Sequence, residues 1–284
     1  MKYFFEIAEV VFRFDMVRLC EITEGFTEFY RPNQERADIV IKFETGVEPE
    51  EKGRCVFKND VYEIYEFKGK HYRKSALLSE PFCGWMTEEG SPDYSCRVYV
   101  PGVDKKWKTS ELFSLIGFEN VLYRQQALIL HASFIEWRNR GILFTAPSGT
   151  GKSTQADLWE AEEGAEIING DKTILRRAEE GWKAYGSPYA GSSKVYRNKG
   201  SVVGAIVVLR QGKENILKRL PPGNAFRYLY SETIVNTWNR DFVIKVTEWV
   251  AHIASEIPVY YLECLPEKSA VQRLKRELEQ VKIC

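Results

Sequence analysis

Residues 141–159 read GILFTAPSGTGKSTQADLW, and the order of residue types predicts a strand, a loop of small residues and a helix. Residues 142–145 form an apolar run of the length of a buried strand, and residues 152–161 have the mixed composition of a helix. The loop between them carries almost no side-chain bulk, so successive backbone N–H groups can point into one cavity at the start of the helix. Such a cavity fits a chain of phosphates.

The loop carries the pattern Ala-x-x-x-x-Gly-Lys-Ser, which is typical of the P-loop of nucleotide-binding proteins except that Ala146 replaces the usual glycine. We predict that the Lys152 ammonium contacts the outer phosphates and that the Ser153 hydroxyl completes the ligand shell of a Mg²⁺ ion. The alternative is a glycine-rich turn that only reverses the chain, and it does not need the Gly-Lys-Ser triplet. The predicted nucleotide-binding residues of the loop are Pro147, Ser148, Gly149, Thr150, Gly151, Lys152, Ser153 and Thr154.

The composition is that of a globular protein. The 284 residues suffice for one large or two ordinary domains, and 44% of them are hydrophobic. The 40 basic residues balance the 40 acidic ones, so no net charge attracts nucleic acid or an anionic membrane, and we expect neither as a partner. No apolar run has the length of a membrane span or a signal peptide, which predicts a cytoplasmic protein. The 6 cysteines include no Cys-x-x-Cys pair, which favours reduced thiols over structural zinc.

Residues 1–107 are rich in Phe, Tyr and Val and predict a small β-rich domain. The segment 84–108 contains glycines, prolines and many charges, and it predicts a loop or domain boundary. Two roles remain open for this domain: its aromatic strands offer an edge or groove to an extended acceptor peptide, or they only fill a core that braces the rest of the chain. The predicted strands are residues 4–14, 38–43, 55–58, 61–67, 71–77 and 96–100.

Residues 108–284 predict a second domain of the α+β class, with the P-loop on a mixed β-sheet and helices at its flanks. A helix is expected to start at Thr109 or Ser110 and to continue its apolar face through Ile129. Residues 186–200 are small, polar and basic, which predicts a mobile surface loop that closes over a ligand. Further strands are predicted at residues 132–137, 166–168, 173–177, 182–185, 202–209 and 259–264. Further helices are predicted after a turn at 221–224, at 241–256 and from 266 onward.

Polar residues near the predicted strand ends supply the remaining chemistry. Asp171 follows a strand, and we expect it either as the base that accepts the proton of an attacking hydroxyl or as a metal ligand of the Walker-B kind; a plain turn residue is the third alternative. His131 opens the strand before the loop and hydrogen-bonds a phosphate or the Asp171 carboxylate, unless it is a buried structural histidine. Lys194 and Arg197 either supply positive charge to a bound nucleotide or are only solvated.

Four features together resemble the catalytic domain of HPr serine kinase/phosphorylase and its phosphoenolpyruvate-carboxykinase-like relatives, over about residues 130–230. They are His131, SGTGKST at residues 148–154, IINGD at 167–171 and a Pro-Gly-Asn turn at 222–224. The resemblance implies a P-loop on a mixed sheet, ATP with Mg²⁺, and transfer of the γ-phosphoryl group to a serine-like hydroxyl. The family usually has two adjacent aspartates where this chain has Gly170 and Asp171, so one carboxylate would do the work of two.

We therefore expect an ATP-dependent kinase with Asp171, His131 and Lys152 as catalytic residues. Ser153 and Asp171 are the expected Mg²⁺ ligands, and Lys194 and Arg197 join the loop residues in binding the nucleotide. The acceptor is expected to be a hydroxyl of a peptide, a protein or a small metabolite, and a homo-oligomer is compatible with the sequence. Two other interpretations stay open, a nucleotide-gated binding protein without transfer chemistry and an enzyme like phosphoenolpyruvate carboxykinase.

Overall fold

The computed structural model describes residues 1–45, 53–77, 82–89, 94–100 and 106–281. The chain divides into two compact units, Met1–Gln125 and Gln126–Cys284. Both combine strands with helices, so the fold belongs to the mixed α+β class that the sequence predicts. No helix of the described ranges is long and apolar enough to span a membrane.

The first unit is built on one 8-stranded sheet with the strand order β1-β2-β4-β9-β8-β7-β6-β5. Its pairs are antiparallel except β2 with β4 and β4 with β9, which are parallel. The strands are β1 (Lys2–Ile7), β2 (Val10–Met16), β3 (Cys20–Glu21), β4 (Ile39–Thr45), β5 (Arg54–Lys58), β6 (Tyr62–Phe67), β7 (Lys70–Leu77), β8 (Phe82–Glu89), β9 (Tyr94–Val100) and β10 (Trp107–Lys108), and the helices are α1 (Glu24–Thr27), α2 (Thr109–Leu115) and α3 (Phe118–Arg124). The short β3 and β10 form a separate parallel pair.

Two of the segment predictions for this unit differ from the structure. The segment 84–108 was predicted as a loop or boundary apart from the strand at 96–100. That strand is present as β9, whereas β8, which the segment also contains in most of its length, was not predicted. Residues 90–93 and 101–105 of the segment lie outside the described residues. The single strand predicted at residues 4–14 is a hairpin, since Ala8 and Glu9 turn the chain with φ of 54° and 59°.

The aromatic core of the first unit explains where the unit ends. Phe113 of α2 has its ring centroid 4.7 Å from that of Phe14 and 4.6 Å from that of Phe26. Phe118 of α3 lies 5.4 Å from Phe113 in an edge-on arrangement. Aromatic contacts of this kind add to the free energy gained from burial. They hold α2 and α3 in the first unit, whereas the sequence placed the domain boundary before them, at 107/108.

The helix predicted from residue 109 through Ile129 is shorter than expected and interrupted. Gly117 adopts φ of 65°, a left-handed conformation that separates α2 from α3. Gln126, with φ of 58°, turns the chain after α3, and Ile129 already belongs to the next strand. Apolar spacing alone did not reveal this change, because a buried strand presents the same residue types as a helix face.

The second unit contains an 8-stranded sheet. Its two longest strands, β11 (Ala127–Trp137) and β16 (Gly200–Gln211), each pair along different parts of their length with different neighbours. The other strands are β12 (Arg140–Thr145), β13 (Glu166–Asn169), β14 (Lys172–Ala178), β15 (Gly181–Tyr185), β17 (Ile216–Arg219) and β18 (Val259–Cys264), and the helices are α4 (Lys152–Glu163), α5 (Pro222–Glu232), α6 (Arg240–Glu256) and α7 (Lys268–Gln280). Of these elements, β17 was not predicted from the sequence.

The strand β12 lies between β11 and β16 and organises the unit. It is antiparallel to β11 and parallel to β16, and β16 is parallel to β18. The carboxyl ends of β12, β16 and β18 therefore meet at one edge of the sheet. The turn after β13 lies at the same edge. Ala132 pairs with Thr145 at the end of β12, and the backbone N–H of Ala132 donates to the Asp171 carbonyl at 2.9 Å.

A buried apolar layer attaches α4 and α7 to this sheet. Trp159 of α4 is fully buried and meets Trp137 of β11 edge-on, with ring centroids 5.1 Å apart. Leu274 and Leu278 of α7 belong to the same core cluster, as does Phe144 of β12. Burial of such large side chains is worth about 2–3 kcal/mol each, so the start of α4 is held firmly at the edge of the sheet.

Candidate active site

The loop 146–151, called the glycine loop below, leads from β12 directly into α4. Gly149 has φ of 79° and Gly151 has φ of 112°, backbone conformations that favour glycine. A Cβ built at either position would meet no heavy atom within 4 Å, so open space lies beside both residues. Ala146 is buried at the end of β12, which accommodates its methyl group. Strand, loop and helix thus follow one another as predicted.

Lys152 lies behind this loop. Its side chain is only 6% exposed, and its Nζ donates to the carbonyls of Ala146 at 2.9 Å and Pro147 at 3.4 Å. Burial lowers the pKa of Lys152, and the nearby carboxylates of Asp171 and Glu232 act in the opposite direction. The ammonium therefore sits within electrostatic reach of two carboxylates and beneath the loop that would carry phosphates.

His131 links these two carboxylates. Its Nε2 lies 3.0 Å from Oδ1 of Asp171, and its Nδ1 lies 3.0 Å from Oε2 of Glu232, the last residue of α5. All three side chains are partly buried, Glu232 most of all. A protonated imidazole donates to both carboxylates, whereas a neutral one donates to a single carboxylate. Of the two contacts considered for His131 from the sequence, the one with Asp171 is present.

Asn169 fixes the turn that carries Asp171. Its Oδ1 accepts from the backbone N–H of Asp171 at 3.0 Å and of Lys172 at 2.9 Å. Its Nδ2 donates to the Ser187 carbonyl at 2.9 Å, and the side chain is fully buried. An asparagine that satisfies two backbone donors in this way makes a rigid turn. Asp171 therefore extends from a fixed backbone toward His131.

Steric crowding explains why the Gly170-Asp171 pair carries only one carboxylate. A Cβ built on Gly170 would lie 1.8 Å from Oγ of Ser193 and 3.1 Å from the Ala190 carbonyl. Ser193 occupies the space because its hydroxyl donates to that same Ala190 carbonyl at 2.7 Å. The structure thus leaves no room for a second aspartate at position 170.

This packing also corrects the prediction that residues 186–200 form a mobile loop. The N–H of Arg197 donates to the Ile168 carbonyl at 3.1 Å, the N–H of Gly186 donates to the Lys199 carbonyl at 3.0 Å, and Tyr196 forms a bridge with Asn169. The small residues of the segment serve close packing against β13 and the Asp171 turn. They do not indicate a free surface loop.

We predict that Gly170→Ala lowers the free energy of unfolding by about 1–3 kcal/mol, since the methyl group would overlap Ser193. The double variant Gly170→Ala, Ser193→Gly should regain part of this loss, because it removes both Ser193 atoms from the overlap. Urea unfolding of the two single variants and the double variant measures the coupling between the two sites. Strictly additive effects would show that Ser193 does not fill the space beside Gly170.

The structure does not bring Arg197 to the other predicted site residues. Its Nε donates to the Ile167 carbonyl at 2.9 Å and lies 3.5 Å from Oε1 of Glu166, at the start of β13. Asp171 follows the other end of this strand, and the predicted contact of Arg197 with a nucleotide stays a prediction. Lys194 is exposed with φ of 54°, and its role in nucleotide binding stays a prediction.

Glu232 and Asn169 are the site residues that the sequence analysis missed. Glu232 is 101 residues from His131 and belongs to no recognisable motif, so only the packing of α5 beside β11 reveals it. The sequence around Asn169 does contain a local signal for the turn. An asparagine directly before Gly-Asp at a strand end is typical of a turn that the asparagine side chain closes.

These residues fit a nucleotide with Mg²⁺ by their chemistry. The open space beside Gly149 and Gly151 accommodates phosphates close to the backbone, and Lys152 supplies a cation. Ser153 stands in the first turn of α4, and the Asp171 carboxylate is the oxygen ligand type that Mg²⁺ prefers. Thr154 is exposed beside them, and Pro147 and Ser148 are exposed in the glycine loop.

A comparison of the sequence with protein-family models and with curated proteins finds no match. Solved structures do match, among them the Hpr(Ser) kinase/phosphatase from Coxiella burnetii, with 11% sequence identity and a TM-score of 0.32. That match covers 54% of this chain and 94% of the other chain. A likeness this weak does not establish the activity of the present chain.

Proposed function

We propose that this protein is an ATP-dependent kinase that transfers the γ-phosphoryl group to a hydroxyl of a peptide, a protein or a small metabolite. The proposal rests on one observation: a buried ammonium and a carboxylate lie near each other at one edge of the sheet. The Lys152 ammonium lies behind the glycine loop, and the Asp171 carboxylate, on a turn whose backbone Asn169 fixes, is within electrostatic reach of it. Phosphoryl transfer needs a cation for the phosphates and a base for the acceptor, and these are the two groups present.

The nucleotide phosphates would contact the backbone N–H groups at the start of α4 and the Lys152 ammonium. Ser153 and Asp171 would hold Mg²⁺, which when bound offsets the charge of the phosphates. Lys152 now bonds two loop carbonyls, so its ammonium would exchange these partners for phosphate oxygens. A phosphate also favours the charged form of this lysine, against the burial that lowers its pKa.

Asp171 would accept the proton of the acceptor hydroxyl. As that proton moves to an Asp171 oxygen, the acceptor oxygen forms its bond to the γ-phosphorus, and the bond from phosphorus to the β–γ bridging oxygen breaks and releases ADP. His131 keeps the Asp171 carboxylate oriented through its Nε2 contact. Glu232 in turn holds the imidazole from its Nδ1 side, as a positioning residue.

A nucleotide-gated binding protein without transfer chemistry is the second candidate. The crowding at Gly170 favours it, because Ser193 excludes the second carboxylate that the resembled kinases have at this point. A site with one carboxylate would then hold the nucleotide without activating an acceptor.

Incubation of the purified protein with Mg²⁺ and ATP labelled at the γ-phosphate distinguishes the two candidates. We expect slow ADP formation that rises when a hydroxyl acceptor is added, with label in the acceptor, for a panel of free serine, free threonine and serine-containing peptides. Nucleotide binding with the same ADP formation for every acceptor would favour the binding protein. Failure to bind ATP at all would contradict both candidates.

A further inference from the structure

A cavity of about 490 Å³ lies between α5 and the strand pair β17 and β18. It is bordered on one side by Asn224, Tyr228 and Ser231, whose spacing places them on one face of α5. Lys218 of β17 and Tyr261 of β18, which pair with each other across the two strands, border it on the other side. All of these residues belong to the second unit, as does the candidate active site.

The lining of this cavity is basic. Lys218 and Arg227 line it and are exposed, and neither forms an ion pair with a carboxylate among the residues that the structure describes. Arg210 adds a third cation close by, because its Nη1 donates to the Tyr261 hydroxyl at 3.3 Å. The described residues that line the cavity include no Asp or Glu. Lys218 and Arg227 thus offer two uncompensated positive charges, which attract an anionic ligand.

Helix α5 joins this cavity to the candidate active site. Arg227 and Ser231 line the cavity, and Glu232, at the end of the same helix, contacts His131 at 3.0 Å. His131 in turn contacts Asp171 at 3.0 Å. The helix rises by about 7.5 Å from Arg227 to Glu232. Along this path the cavity and Asp171 are on the order of 15 Å apart, a distance that about four to five extended residues span.

We propose that this cavity binds acidic side chains of the phosphoryl acceptor, and that the acceptor is an acidic peptide segment whose serine lies at Asp171. The inference rests on the proposed function and narrows its acceptor to one class. A free amino acid is too short to place a hydroxyl at Asp171 and a carboxylate at Lys218 and Arg227 at once. The cavity also suits side chains of a larger ligand, because Tyr228 and Ser231 are exposed, whereas small-molecule sites enclose most of their ligand.

The test uses three peptides that differ only in charge. Each carries one serine and, about four to five residues away on either side, a pair of glutamates, glutamines or lysines. Label transfer from γ-labelled ATP with Mg²⁺ gives KM and kcat. We expect the wild type to have a KM at least about fivefold lower for the glutamate peptide than for the glutamine peptide, and the highest KM for the lysine peptide. Added salt should reduce this preference, because it screens exposed ion pairs.

The double variant Lys218→Gln, Arg227→Gln should have KM values for the glutamate and glutamine peptides within about twofold of each other. Arg219→Gln is the matched control, because it removes a positive charge from the next residue of β17. Arg219 pairs with Tyr260, which belongs to the core on the other face of the sheet, so this control should keep the wild-type preference. Arg227→Glu is a second variant, and its reversed charge should lower the KM for the lysine peptide.

Equal KM values of the wild type for the glutamate and glutamine peptides would overturn the inference, as would a preference that persists in the double variant. In both cases the peptides are phosphorylated, and the proposed kinase stands. The glutamate peptide with alanine in place of serine separates the two proposals when its binding is measured by titration calorimetry without nucleotide. If no peptide is phosphorylated but this peptide binds the wild type at least about fivefold more tightly than the double variant, the cavity binds acidic peptides and the kinase proposal fails. Equal or absent binding to both proteins would overturn the inference.

Discussion

Lys152→Met is expected to lower phosphoryl transfer by about 100- to 1,000-fold, the usual loss when one preorganised donor to a transferring group is removed. Lys152 is the buried cation behind the glycine loop, and the methionine side chain retains much of its volume without the charge. ADP formation with an acceptor measures the rate, and titration calorimetry measures ATP affinity. We expect ATP affinity to fall as well, because the ammonium would contact the phosphates of the bound nucleotide before the reaction.

The control for this variant is Lys199→Met. Lys199 lies in the same unit, but its Nζ contacts Glu136 at 2.7 Å and Glu166 at 2.6 Å, at the start of β13. Its replacement should change stability slightly and leave the ATP affinity at the wild-type level. If Lys152→Met keeps normal ATP affinity and a normal rate while remaining folded, the glycine loop is not a phosphate site, and the proposed function falls.

Asp171→Asn is expected to lower phosphoryl transfer by at least about 100-fold, as expected for the loss of a general base. The fold should persist, because Asn169 holds the turn through the backbone N–H groups of residues 171 and 172 and not through the Asp171 side chain. The rate at saturating Mg²⁺ separates the two roles of the carboxylate. Loss of a base lowers this rate, whereas loss of a metal ligand raises the Mg²⁺ concentration that the reaction requires.

Glu166→Gln is the matched control for Asp171→Asn, because it removes a carboxylate from the opposite end of β13, where Arg197 and Lys199 contact it. This control should leave the rate and the Mg²⁺ requirement as in the wild type. An Asp171→Asn protein with both quantities unchanged would contradict either role of Asp171. This result would favour the second candidate, a nucleotide-gated binding protein without transfer chemistry.

Part of the site could be predicted because its signals are local. Small residues followed by Gly-Lys-Ser, placed between an apolar run and a helical segment, specify the strand, the glycine loop and the start of α4 within residues 141–159. The strand end before Asp171 is equally local. Asp171, His131 and Lys152 were named from such patterns, and the structure brings the three side chains together.

Other predictions failed where a partner distant in sequence decides the outcome. Phe113 draws α2 into the first unit through rings of β2 and α1, so composition placed the boundary too early. The segment 186–200 was predicted as a mobile loop from its small and polar residues, yet Arg197 and Tyr196 pair with residues of β13. Whether the first unit selects the acceptor stays a prediction.

By itself, the sequence determined the mixed α+β class, the strand-loop-helix element and most strands and helices of the second unit. These follow from residue periodicity and backbone preference, which act over a few neighbouring residues. Only the tertiary structure decided that Glu232 approaches His131 and that Ser193 excludes a Cβ at Gly170. Each of these depends on the packing of elements that lie far apart along the chain, and such packing leaves no periodic signal in the residues that it brings together.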